Sequence, residues 1–256
     1  MKDFKDLERV VGPKRKLGVD LIDGLLLDGC PTPSSILILG VAGTEKVLLC
    51  KQLVSAALRT GQRGIYMALD DFPDNIREDI STLVSGDARS YEKKGKLTFI
   101  DAYSPQIGQK SEEKYFEEPA NLSSLSIAVS KVLARGGDEG VFILDSLTTL
   151  IEIGGIRSVL GFLRTCIGKL KRTKFRCFII LNPAAFLPNE IAKVMELVDG
   201  ILEMKMEKKP TGISYYLRVM EMRGVKHATN WVPYRKDPKL GLINVEVEGK
   251  EVEEFL

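Results

Sequence analysis

The sequence predicts an α/β fold in which helices flank a mostly parallel central sheet and an antiparallel hairpin follows toward the C-terminus. Short apolar runs rich in β-branched residues recur along the chain, and they lack the polar alternation of strands with one solvated face. Segments with helical spacing separate these runs. After Glu190 the pattern changes to two strand-like segments, and this change predicts the hairpin.

Apolar runs and helical segments alternate along the first two thirds of the chain. The predicted strands cover residues 35–40, 64–69, 97–101, 141–145 and 177–181, and the predicted helices cover 47–59, 74–84, 122–134 and 158–172. Gly61 ends the first helix, and Gly136 with Gly137 ends the third, because glycine is a poor helix former. Residues 102–120 are polar without a clear period, so we expect a loop or an insertion there.

The C-terminal part of the chain completes the predicted sheet. Residues 201–206 and 214–222 are expected to pair as the hairpin, because charged residues and the turn signal Pro210-Thr211-Gly212 separate them. Residues 242–247 are expected to add a last strand, and the acidic residues 246–256 to form a solvated tail. With residues 1–16 as an N-terminal segment, residues 1–256 fit one domain.

The composition excludes several classes of protein. Hydrophobic residues are 44% and charged residues 28% of the chain, which excludes wholesale disorder. The 37 basic and 35 acidic residues leave a net charge of +2, too balanced to indicate a nucleic-acid or membrane protein. The chain has no run of 18 apolar residues and no signal peptide, so we expect a cytoplasmic protein without membrane insertion. Its four cysteines are widely spaced, which predicts reduced, buried thiols.

The segment from Gly40 to Val47 follows the first predicted strand and opens the first predicted helix, as a phosphate-binding P-loop does. Gly40 and Lys46 match the pattern Gly-x-x-x-x-Gly-Lys-[Ser/Thr], and Gly43 adds a glycine at one of its variable positions. Glu45 stands in place of its second glycine, and Val47 stands in place of its hydroxyl residue. A strand-to-helix turn without a ligand is the alternative interpretation of these eight residues.

Both departures weaken the expected binding of Mg·ATP. A carboxylate about 5 Å from a phosphate costs on the order of 3 kcal/mol per phosphate charge at an effective dielectric constant near 20. Lys46 offsets part of that repulsion from Glu45. Val47 has no hydroxyl, so the usual side-chain ligand of Mg²⁺ in this loop is absent. The N-terminus of the helix still favours an anion through its free N–H groups.

Six segments resemble, in the right order, those of a known family. They are residues 17–31 (LGVDLIDGLLLDGCP), the loop 40–47 with Leu49 and Gln52 after it, 66–71 (YMALDD), 143–147 (ILDSL), 197–201 (LVDGI) and 222–227 (MRGVKH). From about Leu17 to Val245 the chain resembles the RecA/RadA/KaiC group of P-loop ATPases, particularly the archaeal single-domain KaiC-like proteins. The resemblance implies a RecA-like fold, ATP or ADP with Mg²⁺ as cofactors, and assembly with protein subunits, either copies of itself or a related ATPase.

The resemblance also implies a role for each matching position. The nucleotide would be held by Gly40, Gly43, Thr44, Lys46 and Val47. Asp145 would hold the water shell of Mg²⁺, and Asp70 with Asp71 stands where the family has the glutamate pair that polarises the attacking water. Arg223 stands where the family presents a basic residue to the nucleotide of the neighbouring subunit.

Alternatives remain open for several of these positions, and the chain departs from the family's pattern at others. Asp145 is also explained as a helix cap or turn residue, and Asp71 as the cap of the following helix. Aspartate is one methylene shorter than glutamate, and a misplacement of about 1 Å costs about 10²-fold in rate. Glu221 replaces a lysine of the family.

Three functions follow from these observations. The first is an ATPase-fold protein with a decayed nucleotide site, which acts as a non-catalytic or weakly nucleotide-binding regulatory or assembly subunit. The second is a slow but functional ATPase. The third is a recombinase-like accessory protein that binds nucleic acid through a basic cluster, but that cluster is better explained as a solvated helix end; its residues are Lys169, Lys171, Arg172, Lys174 and Arg176.

Overall fold

The computed structural model describes residues 12–134, 139–210 and 212–245. Within them, nine strands form one sheet in the order β11-β10-β9-β8-β3-β7-β6-β4-β5. The six strands from β8 to β5 in that order run parallel, and β9, β10 and β11 continue the sheet antiparallel beyond β8. This arrangement confirms the predicted α/β fold with a C-terminal antiparallel extension.

The bounds of the elements are as follows. The strands are β1 (Lys14–Arg15), β2 (Cys30–Pro31), β3 (Ser34–Gly40), β4 (Arg63–Ala68), β5 (Leu97–Asp101), β6 (Gly140–Asp145), β7 (Phe175–Leu181), β8 (Gly200–Lys209), β9 (Gly212–Met222), β10 (Val232–Asp237) and β11 (Gly241–Asn244). The helices are α1 (Asp20–Asp23), α2 (Lys46–Arg59), α3 (Pro73–Val84), α4 (Arg89–Lys93), α5 (Tyr103–Gln106), α6 (Leu122–Leu133), α7 (Leu147–Gly154), α8 (Ile156–Leu170) and α9 (Pro188–Met195).

The parallel strands are buried on both faces, and successive residues alternate between two apolar layers. In β3, Ile36 and Ile38 belong to the layer that contains α1, α2 and α3. Leu37 and Leu39 belong to the layer that contains α6, α7 and α8. Burial on both faces explains why these strands read as continuous apolar runs. It also fixes the carboxyl ends of the parallel strands at a common edge, where ligands of such sheets bind.

The predicted elements up to β7 are confirmed with small shifts at their ends, and the hairpin is confirmed as β8 and β9. Several elements were not predicted: the short elements β1, β2, α1 and α4, the helices α7 and α9, and the strand β10. The stretch 102–120 contains the short helix α5, and the last strand is Gly241–Asn244 rather than 242–247. The first eleven residues, the glycine pair after the third predicted helix and the acidic tail lie outside the described residues.

Two further observations concern the cysteines and the helices of the described residues. All four cysteines are free and buried, as expected of reduced thiols in apolar layers. No helix in the described parts of the chain is long and apolar enough to cross a bilayer.

Candidate functional site

The loop between β3 and α2 lies at the carboxyl edge of the parallel sheet, and its glycines are required by geometry. A Cβ on Gly40 would lie 2.5 Å from Thr44 Oγ1 and 3.0 Å from the Met204 carbonyl oxygen. Gly43 has a φ of +85°, in the left-handed region that side chains rarely adopt. The loop therefore keeps the tight path of a phosphate loop at both positions.

Glu45 occupies the position at which the P-loop pattern has glycine, and it adopts the backbone conformation that favours glycine. Its φ is 60° and its ψ is 29°, and α2 starts at the next residue. A left-handed conformation costs a residue with a Cβ about 1 kcal/mol. The Glu45 carboxylate accepts a hydrogen bond of 2.8 Å from Lys236 Nζ on β10, which forms an ion pair with the loop.

Lys46, the lysine of the loop, is bonded to the loop itself. Its Nζ donates to the Val41 carbonyl oxygen at 2.8 Å, and Thr44 Oγ1 donates to the same oxygen at 2.8 Å. Burial lowers the pKa of Lys46, and the Asp145 and Asp70 carboxylates oppose that shift. The next residue, Val47, offers no side-chain oxygen to a metal ion.

Asp145 ends β6 at the same sheet edge and is 3% exposed. Its Oδ2 accepts a hydrogen bond of 2.5 Å from Tyr66 Oη on the neighbouring strand β4. Its Oδ1 is buried without a hydrogen-bond partner among the described residues. Burial raises the pKa of Asp145 to about 6, and the hydrogen bond from Tyr66 opposes that shift. An unpartnered carboxylate oxygen beside the phosphate loop fits the water shell of Mg²⁺, a cation that prefers oxygen ligands.

Asp70 and Asp71 follow β4, next to Asp145, but their carboxylates have separate partners. Thr149 on α7 donates its hydroxyl hydrogen bond to Asp70, whose side chain lies at the surface. Asp71 Oδ1 accepts from the backbone N–H of Phe72 at 2.8 Å and from Asn75 Nδ2 at 2.6 Å. Asp71 thus bonds to the segment that leads into α3, but it does not cap the helix: α3 begins at Pro73, its N-cap is Phe72, and no side-chain hydrogen bond caps it.

Arg223 lies at the opposite edge of the sheet. It follows the end of β9, where Met222 pairs with Gly200 and Gly200 with Ile36, near the start of β3. The phosphate loop follows the other end of β3, so it lies about 15 Å from Ile36 at a rise of about 3.3 Å per residue. The guanidinium is exposed, 3.7 Å from Glu221 Oε1 and 3.5 Å from the Glu196 carbonyl oxygen. Arg223 does not join the site of its own chain.

The strand β10 contributes two residues to the loop that no sequence motif indicates. Tyr234 Oη donates to the Thr44 carbonyl oxygen at 2.6 Å, and its ring stacks on Tyr215 at 5.6 Å. Lys236, two residues further on, pairs with Glu45 as described above. Both contacts join residues about 190 positions apart, so no local pattern in the sequence indicates them.

The basic cluster of the predicted nucleic-acid alternative is mostly engaged inside the chain. Lys169 Nζ donates to the Ser126 carbonyl at 2.6 Å, and Lys171 Nζ donates to Asp199 Oδ1 at 2.9 Å. Arg176 is 1% exposed. Three of the five cationic groups are therefore occupied or buried, which favours their interpretation as a structural helix end.

The strand order, the loop between β3 and α2, and an acid at the end of β6 together define a P-loop ATPase fold of the RecA-like class. The chain belongs to the KaiC ATPase family, because the family model described as "ATPase: KaiC" matches residues 15–248.

Individual relatives agree with this assignment. The chain is 27% identical to a UPF0273 protein of Methanopyrus kandleri, over 93% of this chain and 97% of the relative. It is also 27% identical to a UPF0273 protein of Pyrococcus horikoshii, over 86% and 89% of the two chains. The crystal structure of a KaiC-like protein from Pyrococcus horikoshii has the same fold, with a TM-score of 0.74 at 17% identity, over 91% of this chain and 99% of that one.

Proposed function

We propose that this protein is a KaiC-like ATPase-fold subunit that binds nucleotide weakly, hydrolyses it poorly if at all, and acts in regulation or assembly. The observation that carries the proposal is the state of the phosphate loop. The loop lies between a buried strand and a helix and retains Gly40 and Lys46, yet Glu45 brings a carboxylate to the start of α2 and Val47 brings no metal ligand.

The residues available to a nucleotide support weak binding rather than none. Backbone N–H groups at the N-terminus of α2 favour phosphate, and the glycines keep the loop open to it. Lys46 would exchange the Val41 carbonyl for a phosphate oxygen. Magnesium, when bound, would screen the phosphate charge, with Asp145 as the carboxylate that holds its water shell.

The residues available for hydrolysis support slow turnover. The Asp71 carboxylate accepts hydrogen bonds from the Phe72 N–H and the Asn75 amide, so it is less available to a water molecule. Asp70 is bonded to Thr149 and has a side chain one methylene shorter than the family's glutamate. A water-polarising carboxylate placed about 1 Å too far away loses about 10²-fold in rate.

The position of Arg223 supports a role in assembly. Its exposed guanidinium is paired only loosely, and it lies on the far edge of the sheet from its own loop. A side-by-side assembly would bring it to the nucleotide of a neighbouring subunit, either a copy of this chain or a related ATPase. A subunit with a poor site of its own would still supply this cation.

Calorimetric titration of the protein with ATP and with ADP, with and without Mg²⁺, tests the proposal. We expect dissociation constants of about 10⁻⁴ M or weaker, improved by Mg²⁺ and lost in Lys46→Ala. Lys239→Ala, an exposed lysine in the turn before β11, is the matched control. Micromolar binding with rapid turnover would contradict the proposal, and so would the absence of heat at millimolar nucleotide.

The slow but functional ATPase is the second candidate, and one observation favours it. The buried, unpartnered Oδ1 of Asp145 is a group that a hydrated Mg²⁺ ion would satisfy. This candidate predicts steady phosphate release that is abolished by Lys46→Ala and reduced by Asp145→Asn. A release rate equal to that of Lys46→Ala would eliminate it.

A further inference from the structure

We infer that Lys236 is a phosphate-binding residue that restores the positive charge which Glu45 removes from the loop. The inference rests on the proposed nucleotide site and names a residue that the P-loop pattern does not contain. Lys236 Nζ lies 2.8 Å from Glu45 Oε1, at the residue that immediately precedes α2. The Lys236 ammonium group therefore lies at the rim of the loop, where it contacts the residue that precedes Lys46.

Charge at the loop favours this role. With Lys46 as its only cation and Glu45 unpaired, the loop would carry no net charge toward a polyanion. The ion pair neutralises Glu45 and leaves one net positive charge, as in a P-loop with glycine at that position. A carboxylate about 5 Å from a phosphate repels each phosphate charge, and a paired cation offsets that repulsion. The change in free energy corresponds to at least about a tenfold change in affinity.

The remaining donors of Lys236 are available. An ammonium group has three N–H donors, and the Glu45 carboxylate is its one hydrogen-bond partner among the described residues. The side chain is 56% exposed, so a phosphate oxygen can reach it without rearrangement of the strand. Glu45 thereby also positions the ammonium group.

The strand that carries Lys236 is fixed to the loop by further contacts. Tyr234 donates to the Thr44 carbonyl oxygen at 2.6 Å. Gln52 on α2 donates to the Leu240 and Leu242 carbonyl oxygens at 2.9 and 3.1 Å and accepts from the Leu242 N–H at 3.0 Å. These bonds hold β10 and β11 against the loop and its helix, so Lys236 stays at the rim when no ligand is present.

A double-mutant cycle with ATP, ADP and AMP tests the inference by calorimetry. We expect Lys236→Gln to weaken ATP binding about tenfold, with a smaller loss for ADP and the smallest for AMP, because Glu45 is then unpaired. Glu45→Gln with Lys236→Gln should recover most of the loss but stay about threefold weaker than the wild type, since the loop again carries one net charge but lacks the Lys236 donors. Arg235→Gln, the neighbouring exposed cation of β10, is the matched control and should change affinity less than twofold.

The outcomes separate this inference from the proposed function. If the wild type binds ATP, Lys46→Ala does not, and Lys236→Gln binds as the wild type does, the inference is wrong and the proposed function stands. If Glu45→Gln binds ATP and the wild type does not, Lys236 fails to compensate, and the inference is wrong. If neither binds at millimolar ATP, both the proposed function and the inference fail. Thermal unfolding of each variant checks that the fold is retained.

Discussion

Tyr66 donates a hydrogen bond of 2.5 Å to Asp145 across two neighbouring parallel strands at the edge of the sheet that carries the phosphate loop. In P-loops with a serine or threonine after the lysine, that hydroxyl lies beside the metal; here the position is Val47. The tyrosine is thus the hydroxyl that orients the acid in this chain. Burial and the Asp145 carboxylate both raise the pKa of Tyr66, which keeps the hydroxyl protonated as a donor.

Tyr66→Phe should lower the free energy of unfolding by about 1–3 kcal/mol at pH 7, because a buried carboxylate loses its donor. Urea unfolding followed by circular dichroism measures this difference. Tyr103→Phe, which removes a hydroxyl from a ring packed edge-on against Phe72, is the control and should change stability by less than about 0.5 kcal/mol. Equal stability of Tyr66→Phe and the wild type would mean that water replaces the lost donor.

Asp145 should make the protein less stable as the pH rises through the acidic range. Its pKa is raised from 3.8 to about 6, so the folded state holds the proton more tightly than the unfolded state does. Stability from this group is therefore full below about pH 4 and is lost as the pH rises to about 6, by up to about 3 kcal/mol. Asp145→Asn removes this titration.

The measurement for Asp145 is the difference in unfolding free energy between Asp145→Asn and the wild type, in metal-free buffer, at several pH values. Between about pH 4 and about pH 6 the wild type should lose stability relative to the asparagine variant, and above about pH 7 the difference should stay constant. A difference independent of pH would contradict the raised pKa.

Val47→Thr should strengthen Mg²⁺-dependent ATP binding by about tenfold, because it returns a hydroxyl to the position beside the metal. Threonine has nearly the shape of valine, and Val47 is only partly buried, so the fold should tolerate the change. The readout is the ratio of affinities with and without Mg²⁺. Val47→Ala controls for altered packing, and an equal gain in both variants would refute a metal contact.

Arg223→Ala should leave the nucleotide affinity of the isolated chain within about twofold, because the residue lies about 15 Å from its own loop at the rise per residue of a strand. Its stability should stay within about 0.5 kcal/mol of the wild type, since the side chain is exposed and loosely paired. Titration at concentrations where the protein is monomeric by light scattering tests this. Loss of binding under those conditions would place Arg223 in its own site.

The fold and the phosphate loop were predictable because their signals are local. Two-sided burial makes β3 and β6 continuous apolar runs, and the loop lies within eight consecutive residues. The strand β10 was not predictable, because Pro233, Arg235 and Asp237 suit a solvated turn as well as a strand. Its conformation is set by pairing with β9, a contact between distant parts of the chain.

The sequence indicates candidate positions for the site, but it does not indicate the contacts that their side chains make. The family resemblance indicates both Asp70 and Asp71, yet only the folded chain shows that the Phe72 N–H and the Asn75 amide bond to the Asp71 carboxylate. From the sequence, Glu45 is only a departure from the P-loop pattern, because a pattern considers each position separately. Its compensating partner, Lys236, comes from another strand, and no motif joins the two.

The contacts of β10 with the loop also bear on how the protein is made. Tyr234 and Thr44 are separated by 190 residues, and Lys236 and Glu45 by 191. During synthesis the phosphate loop gains these contacts only after Tyr234 and Lys236 have left the ribosome. Such long-range contacts form late and slow the folding of a domain. The nascent chain therefore has α2 and the central strands long before it has a finished loop, so an unfinished copy lacks the contacts that complete the site.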